Sequence, residues 1–277
     1  MPINDEQIRA LIESWAEAVH LGDLETVAAE HAEDIVMYDV PENIHGIEAY
    51  RKAWPPFFTW QADGAVFEIE SLDVTAGEDV AFAHALLRCG MPEDVARNRM
   101  RLTLGLRKEG GRWVVAHEHH SFPLNDESPL TDERSSADEG ERDGEREVRR
   151  VHERWFAQTA AKNLDGMMAD IADDIVSYEQ EAPLQHLGVE AVRAVCARGL
   201  GQDDAVSLDI PDLTVMARGD LAVAWGLDRI RVGQDGEHWS RGTRVFQRRS
   251  GAWVMIHQHL SVPYDLDTGV VRSDLRP

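Results

Sequence analysis

The stretch WVVAHEHHSFP, from Trp113 to Pro123, returns as WVMIHQHLSVP, from Trp253 to Pro263. The two copies lie 140 positions apart, and each places His-x-His ahead of a serine and a proline. The same offset relates EDIVMY, at 33–38, to DDIVSY, at 173–178. A similarity that runs through both halves of a chain indicates a duplicated domain. The 277 residues also suit two domains of ordinary size.

Between the halves lies a strongly charged segment. The sequence NDESPLTDERSSADEGERDGERE, at 125–147, contains Leu130 as its one large aliphatic residue. Such a composition has too little apolar surface to offset the entropy lost on ordering. We therefore expect a first domain at 1–124, a flexible acidic linker at 125–146 and a second domain at 147–277.

Charge and composition disfavour several kinds of partner. The formal net charge is −23, which argues against binding to nucleic acid and to anionic membranes. No apolar run reaches the length of a membrane span, and the first residues do not resemble a secretory signal. Cys89 and Cys196 form no Cys-x-x-Cys pair, so a reduced, cytoplasmic protein is the simplest expectation. No nucleotide-binding motif is present, and we predict no cofactor.

The residue pattern of each half predicts helices followed by strands. Ile8, Ile12, Trp15 and Val19 have helical spacing, with Asn4 or Asp5 as the expected N-cap. We predict a second helix in LETVAAEHA, at 24–32, and a third in IEAYRKAWPPFF, at 47–58, ended by its two prolines. Strands are predicted at 66–75, 80–89, 97–107 and 112–122, and the second half repeats this order with turns at 234–236 and 250–251. The fold class is therefore α+β.

This order, together with HAEDIVMYDVPENIHG at 31–46 and the closing W-V-x-x-H-x-H-x-S-x-P, resembles the SnoaL-like domains of the NTF2-like/ketosteroid isomerase superfamily. The resemblance covers about 1–124 and 146–265. It implies two cone-shaped domains, each a curved, mainly antiparallel sheet around helices, with an apolar pocket at the open end. It also implies pairing of the two halves as an intramolecular pseudo-dimer, or formation of a homodimer.

The resemblance implies a general base at Asp39, and the 140-residue offset makes Glu179 its counterpart. Two other catalytic groups of the isomerase family are replaced by different residue types in this sequence. Trp15 stands at the position of a tyrosine donor, and Thr103 stands at the position of a protonated acid. Genuine ketosteroid isomerase activity is therefore not expected.

The paired histidines leave three alternatives open. Strand alternation puts His117 and His119 on one face and Glu118 and His120 on the other. The first pair is compatible with a metal site, with pocket acid–base or hydrogen-bonding groups, or with a structural role in the sheet. A third metal ligand would have to come from Asp39, His45 or His84. The second half does not repeat the last two, because Leu187 and Trp225 replace them. We therefore predict no bound metal.

These residues suggest a cofactor-independent enzyme that transfers protons on a small apolar carbonyl compound, as an isomerase, cyclase or dehydratase. Asp39 is the expected base, with His117, His119 and His84 as further catalytic candidates, in the first domain. Candidate substrate-binding residues are Tyr38, Trp15, His45, Arg88, Arg101, Glu179, His257 and His259. The alternatives are a non-catalytic protein that binds a small hydrophobic molecule and a metal-dependent enzyme that uses His-x-His.

Overall fold

A computed structural model describes residues 3–95, 99–123, 143–201, 205–233, 236–265, 268, 270–272 and 275. It divides into two units, Met1–Phe122 and Pro123–Pro277. Within the described ranges, no helix is both long enough and apolar enough to cross a membrane. Both cysteines are free.

The first unit has helices and one six-stranded sheet. Its elements are α1 (Ile3–Leu21), α2 (Leu24–Ala29), β1 (His31–Tyr38), β2 (Asn43–His45), α3 (Ile47–Ala62), β3 (Val66–Ala76), β4 (Val80–Gly90), α4 (Pro92–Val95), β5 (Met100–Glu109) and β6 (Arg112–Ser121). The strand order is β2-β1-β6-β5-β4-β3. Only the pairing of β1 with β6 is parallel among these neighbours, so the sheet is mainly antiparallel, as predicted.

The second unit repeats this architecture. Its elements are α5 (Asp143–Ala160), α6 (Leu164–Met168), β7 (Ile171–Tyr178), β8 (His186–Leu187), α7 (Val189–Leu200), β9 (Val206–Asp209), β10 (Thr214–Arg218), β11 (Leu221–Val232), β12 (Gly236–Arg249) and β13 (Ala252–Ser261). The strand order is β10-β11-β12-β13-β7-β8, and β9 also pairs with β11. Two short strands, β9 and β10, therefore replace the long β3 of the first unit.

The core of the first unit lies between the sheet and its helices. Ile8, Ile12 and Trp15 of α1 and Tyr50 and Trp54 of α3 pack against the inner face of the sheet. Gly46 is the N-cap of α3, with a φ of 79°, and Gly188 is the N-cap of α7, with a φ of 82°. This backbone conformation favours glycine, which explains why the corresponding segments GIEAYR, at 46–51, and GVEAVR, at 188–193, both start with it.

A β-bulge in β6 decides which side chains face the helices. Leu106 pairs with Val115 and Gly105 pairs with His117, so Ala116 is the extra residue. Val115 faces the core. Without the bulge, alternation counted from Val115 would turn His117 inward, but the extra residue turns Glu118 inward instead. A shift between Val245 and Phe246 gives the second unit the same feature.

Several predicted boundaries differ from the structure. The third helix continues through Pro55 and Pro56 to Ala62, although neither proline can donate a backbone hydrogen bond. Packing of Trp54, Phe57 and Phe58 onto the core offsets that loss. The second helix ends at Ala29, because the following segment joins the sheet as β1.

The predicted helix cap is also wrong. Asn4 and Asp5 lie within α1, where they bind the turn between β3 and β4 through Gly77 O and Ala76 N. Residues 143–146, assigned to the linker, begin α5. The rest of that linker, the start of the predicted 97–107 strand and the turn residues 234 and 235 lie outside the described residues.

Candidate acid–base site of the first domain

Glu118 lies at the centre of a buried polar network. Its neighbours across the sheet are Met37 and Leu104, so its side chain points towards the helices and is fully buried. One carboxylate oxygen, Oε1, lies 2.6 Å from Nε2 of His31. The same oxygen accepts a 2.9 Å hydrogen bond from the hydroxyl of Tyr50.

The second oxygen of Glu118 faces another histidine. Its Oε2 lies 3.0 Å from Nε2 of His120, which is within ion-pair distance. Neither atom has another hydrogen-bond partner in the described residues. The other ring nitrogen of His120, Nδ1, lies 3.3 Å from Oδ1 of Asp39. The side chain of Asp39 is 30% exposed. The network therefore runs from the buried interior to a carboxylate that solvent reaches.

Two helices fix the inner end of this network. Trp15 of α1 donates its indole N–H to the Tyr50 hydroxyl over 3.2 Å. The rings of Tyr50 and His31 stack with their centres 4.4 Å apart. Because the Tyr50 hydroxyl accepts one hydrogen bond and donates another, its orientation towards Glu118 is set by Trp15.

The network has a definite charge distribution. Burial raises the pKa of Glu118, but its contacts with His120 and His31 outweigh that effect and lower the pKa to about 2. Burial lowers the pKa of His120, but its contacts with Asp39 and Glu118 outweigh burial and raise the pKa to about 9. At neutral pH, Glu118 is therefore a carboxylate and His120 an imidazolium ion.

Two other groups near the network remain protonated. Burial, with a contribution from Glu118, raises the pKa of Tyr50 well above its usual value. Burial and the nearby charge of Asp39 raise the pKa of Cys89 to about 12. Since a nucleophilic cysteine needs a thiolate, Cys89 is not a candidate nucleophile.

The two histidines of the repeated His-x-His motif lie on the face of the sheet opposite to this network. His117 and His119 point away from the helices and flank Tyr38, with ring centres 5.0 and 5.3 Å from it. His117 donates from Nδ1 to the carbonyl of Val36 over 2.9 Å. Burial lowers the pKa of His117 to about 3, so its ring is neutral at physiological pH. The structure thus separates this pair from Asp39, because the bulge reverses the phase of the strand.

His84 and Thr103 share that outer face. His84 pairs with Thr103, which pairs in turn with His119. Burial lowers the pKa of His84, and Asp73 partly offsets this. His45, another candidate from the sequence, also lies outside the network, because its side chain is exposed on the edge strand β2.

The two arginines have structural partners. The buried Arg101 binds Ser121 Oγ and the carbonyl of Phe122, each at 3.2 Å. Arg88 forms an exposed ion pair with Glu68 at 2.5 Å. Of the sequence candidates, the structure therefore brings only Asp39 and Trp15 to the inner network.

The second domain repeats the tyrosine between two histidines on its outer face, whereas its inner face differs. Tyr178 lies between His257 and His259, with ring centres at 5.1 and 5.3 Å. At the counterparts of His31, Glu118 and His120, the sequence has Ile171, Gln258 and Leu260.

A different polar network occupies this inner face. Arg244 forms two hydrogen bonds with Asp228, at 2.9 and 2.7 Å, and a third with Gln258. Gln258 donates to Glu179, which lies 2.5 Å from Ser177 Oγ. Glu179 is therefore buried in contact with Gln258 and Ser177, and the counterpart of His120 in this domain is the apolar Leu260.

The sequence reading missed His31, Tyr50, Glu118 and His120. A signal was present, because all four positions differ between otherwise similar halves, and strand alternation already groups Glu118 with His120. No group of three or more metal-binding side chains converges in the described ranges. In the inner network, the imidazole and carboxylate groups are arranged in a row and bind one another.

The comparisons with known proteins agree with the repeat. The family model of the SnoaL-like domain matches twice, at residues 8–125 and 148–265. No curated protein matches the chain. An NTF2-like protein of unknown function from Pseudomonas putida is 33% identical, with 48% of this chain and 95% of that chain covered and a TM-score of 0.46.

Two further solved structures are similar over one domain. A candidate dehydratase of the NTF2-like family from Streptomyces avermitilis is 14% identical, with 44% of this chain and 97% of that chain covered and a TM-score of 0.39. An uncharacterised protein with a cystatin-like fold from Caulobacter vibrioides is 21% identical, with coverages of 43% and 89% and a TM-score of 0.38. Since the family model matches most of both halves, the chain belongs to the SnoaL-like family, with two tandem copies of its domain.

Proposed function

We propose that the first domain is a cofactor-independent enzyme that transfers protons on a small apolar carbonyl compound. The observation that carries this proposal is the row His31–Glu118–His120–Asp39, which ends at a partly exposed carboxylate. A carboxylate next to an imidazolium provides a base and an acid within one hydrogen bond of each other.

Asp39 acts as the base in this proposal. Its carboxylate removes a proton from the carbon next to the substrate carbonyl. The N–H of His120 at Nδ1 stabilises the enolate oxygen that forms. The 3.3 Å separation of this nitrogen from Asp39 is longer than a typical hydrogen bond, so the donor can turn to a substrate oxygen. Asp39 then returns the proton to another carbon of the substrate.

Glu118 keeps His120 charged, and His31 and Tyr50 hold Glu118 in place. The catalytic partner of Asp39 is therefore His120, and His84, His117 and His119 are not assigned to this step. Cys89, which packs against the apolar core and lies within range of the charge of Asp39, offers apolar contact to a small hydrophobic substrate.

The test is exchange of carbon-bound hydrogen in D₂O. The full chain is incubated with small cyclic ketones such as 2-tetralone, and proton NMR follows the loss of signals next to the carbonyl. We expect exchange faster than in buffer, reduced at least about 100-fold by Asp39→Asn. His120→Gln should reduce the rate in the same direction.

The control variant is Asp63→Asn, which removes an exposed charge at the end of α3 and should leave the rate unchanged. Exchange that persists in the Asp39→Asn protein would remove Asp39 from the mechanism. Saturable binding of ketones without exchange in any of them would instead support a non-catalytic protein that binds small hydrophobic molecules.

A further inference from the structure

The first domain has a surface groove whose counterpart in the second domain is almost closed. The groove lies beside α1, α2 and the turn between β5 and β6, and it measures about 500 Å³. The matching cavity of the second domain measures about 10 Å³. The larger volume is in the size range of sites for small organic molecules, whereas the smaller one has room for about one water molecule. The side chains beside the closed cavity indicate what kind of group fits the open one.

An ion pair lies beside the closed cavity. Arg154 of α5 approaches one carboxylate oxygen of Asp170 with two guanidinium nitrogens, Nε at 3.0 Å and Nη2 at 2.9 Å. Asp170 lines the closed cavity and lies between α6 and β7. The guanidinium group therefore joins the first helix of the second domain to the segment that precedes its first strand.

The first domain has the carboxylate of this pair without the cation. The 140-residue offset makes Glu30 the counterpart of Asp170 and makes Ser14 the counterpart of Arg154. Both Glu30 and Ser14 line the open groove. Within the described residues, the side chain of Glu30 has no hydrogen bond and no ion pair.

Backbone contacts place the two carboxylates alike. The carbonyl of Glu30 accepts a hydrogen bond from the backbone N–H of Val115 over 2.8 Å. The carbonyl of Asp170 accepts one from the backbone N–H of Met255, the counterpart of Val115, over the same distance. Because a glutamate is one methylene longer than an aspartate, the Glu30 carboxylate is within reach of the part of α1 that contains Ser14.

We propose that the open groove binds a small organic cation of the guanidinium or amidinium type that carries an apolar body. Its cation pairs with Glu30 as Arg154 pairs with Asp170, since a planar cation of this type suits a carboxylate. Leu11 and Val27 line the groove and provide apolar contact for the body of the ligand. The formal net charge of −23 also favours a cation over an anion.

A basic residue of the lining, Arg112, lies towards the other end of the groove. It is exposed and follows the β5–β6 turn, next to Trp113. In the second domain, the counterpart of Trp113 binds Glu147, which precedes Arg154 by seven positions on α5 (154 − 147). At a rise of 1.5 Å per residue, these two ends of the groove are about 10 Å apart. Solvent therefore screens the charge of Arg112 from a cation bound at Glu30.

This binding site is separate from the proposed acid–base reaction, because it uses neither Asp39 nor His120. The test compares benzamidine, a planar cation on a benzene ring, with benzamide, which has nearly the same shape and no charge. The full chain is titrated with each compound, and NMR follows the indole N–H signal of Trp113, which lines the groove and is assigned with Trp113→Phe. We expect a saturable shift with benzamidine and at least about fivefold weaker binding of benzamide, which forms no charge-assisted hydrogen bond.

Three variants locate the cation. Glu30→Gln should weaken benzamidine binding at least about fivefold and leave benzamide binding unchanged. Ser14→Arg copies Arg154 and should abolish benzamidine binding, because its guanidinium group takes the Glu30 carboxylate. Glu13→Gln removes a neighbouring exposed charge of α1 outside the groove lining and should change neither affinity.

The proposal is overturned if benzamidine does not shift the Trp113 signal or if the two compounds bind equally. It is also overturned if Glu30→Gln and Glu13→Gln behave alike, or if the Ser14→Arg protein binds benzamidine with full affinity.

Discussion

Oε1 of Glu118 lies 2.6 Å from Nε2 of His31, although 87 positions separate the two residues in the sequence. His31 begins β1 and Glu118 lies near the end of β6, and the parallel pairing of these strands brings them together. Their contact is the inner half of the network that ends at Asp39. The second domain, with Ile171 and Gln258 at these positions, has no equivalent.

The charge of His120 should depend on Glu118. Its folded pKa of about 9 exceeds the usual 6.5, so its contribution to stability is complete below pH 6.5 and is lost as the pH rises through 9. Glu118→Gln removes one of the two carboxylates that outweigh burial. We expect the pKa of His120 to fall towards or below 6.5, as measured by NMR titration of its ring protons. Glu68→Gln, which alters an exposed ion pair, should leave this pKa near 9.

A second prediction concerns acid stability and His152. Burial, followed by the charge of Arg244, lowers the pKa of His152 to about 3. The folded value lies below the unfolded 6.5, so this contribution to stability is complete above pH 6.5 and is lost as the pH falls towards 3. His152→Ile copies Ile12 of the first domain and should reduce the loss of unfolding free energy between pH 7 and pH 5, as measured with urea.

The reciprocal variant provides the control. Ile12→His places an imidazole in the apolar core of the first domain and should increase the loss of stability over the same pH interval. If His152→Ile has the same pH dependence as the wild-type protein, the ring of His152 does not contribute to acid unfolding.

The effects on stability of replacing Arg244 and Asp228, the buried ion pair of the second domain, should be strongly coupled. Arg244→Leu leaves the charge of Asp228 buried without its partner, which should cost about 3–5 kcal/mol of unfolding free energy. The double variant with Asp228→Leu reproduces Leu104 and Leu87, the apolar counterparts in the first domain. We expect it to recover most of that loss, because apolar side chains often replace buried ion pairs without penalty. Equal losses in the single and double variants would contradict this coupling.

Tyr50 should be important for stability. Tyr50→Phe leaves the indole N–H of Trp15 without its acceptor and removes a donor from Glu118. The expected cost is about 1–3 kcal/mol of unfolding free energy, measured by urea denaturation. In a double-mutant cycle with Trp15→Phe, the two losses should be less than additive. Strict additivity would show that the two side chains act independently.

The amino-acid sequence by itself determined the duplication, the α+β class and the order of elements. These follow from local patterns: helical spacing from Ile8 to Val19, alternating strands, and a glycine at Gly46 and at Gly188 where φ is positive. The sequence also placed Asp39 at the end of the first strand. The prediction that two prolines end the third helix was wrong, because packing of Trp54 and its neighbours keeps α3 helical through Pro55 and Pro56.

Only the tertiary structure decided which histidines join Asp39. One extra residue at Ala116 reverses the phase of β6, turning Glu118 and His120 inward and the repeated His117 and His119 outward. The role of His31 depends on strands paired across more than 80 positions. Side-chain alternation can be read from a sequence, but its phase relative to the core is set by strand register, which depends on partners far away in the chain.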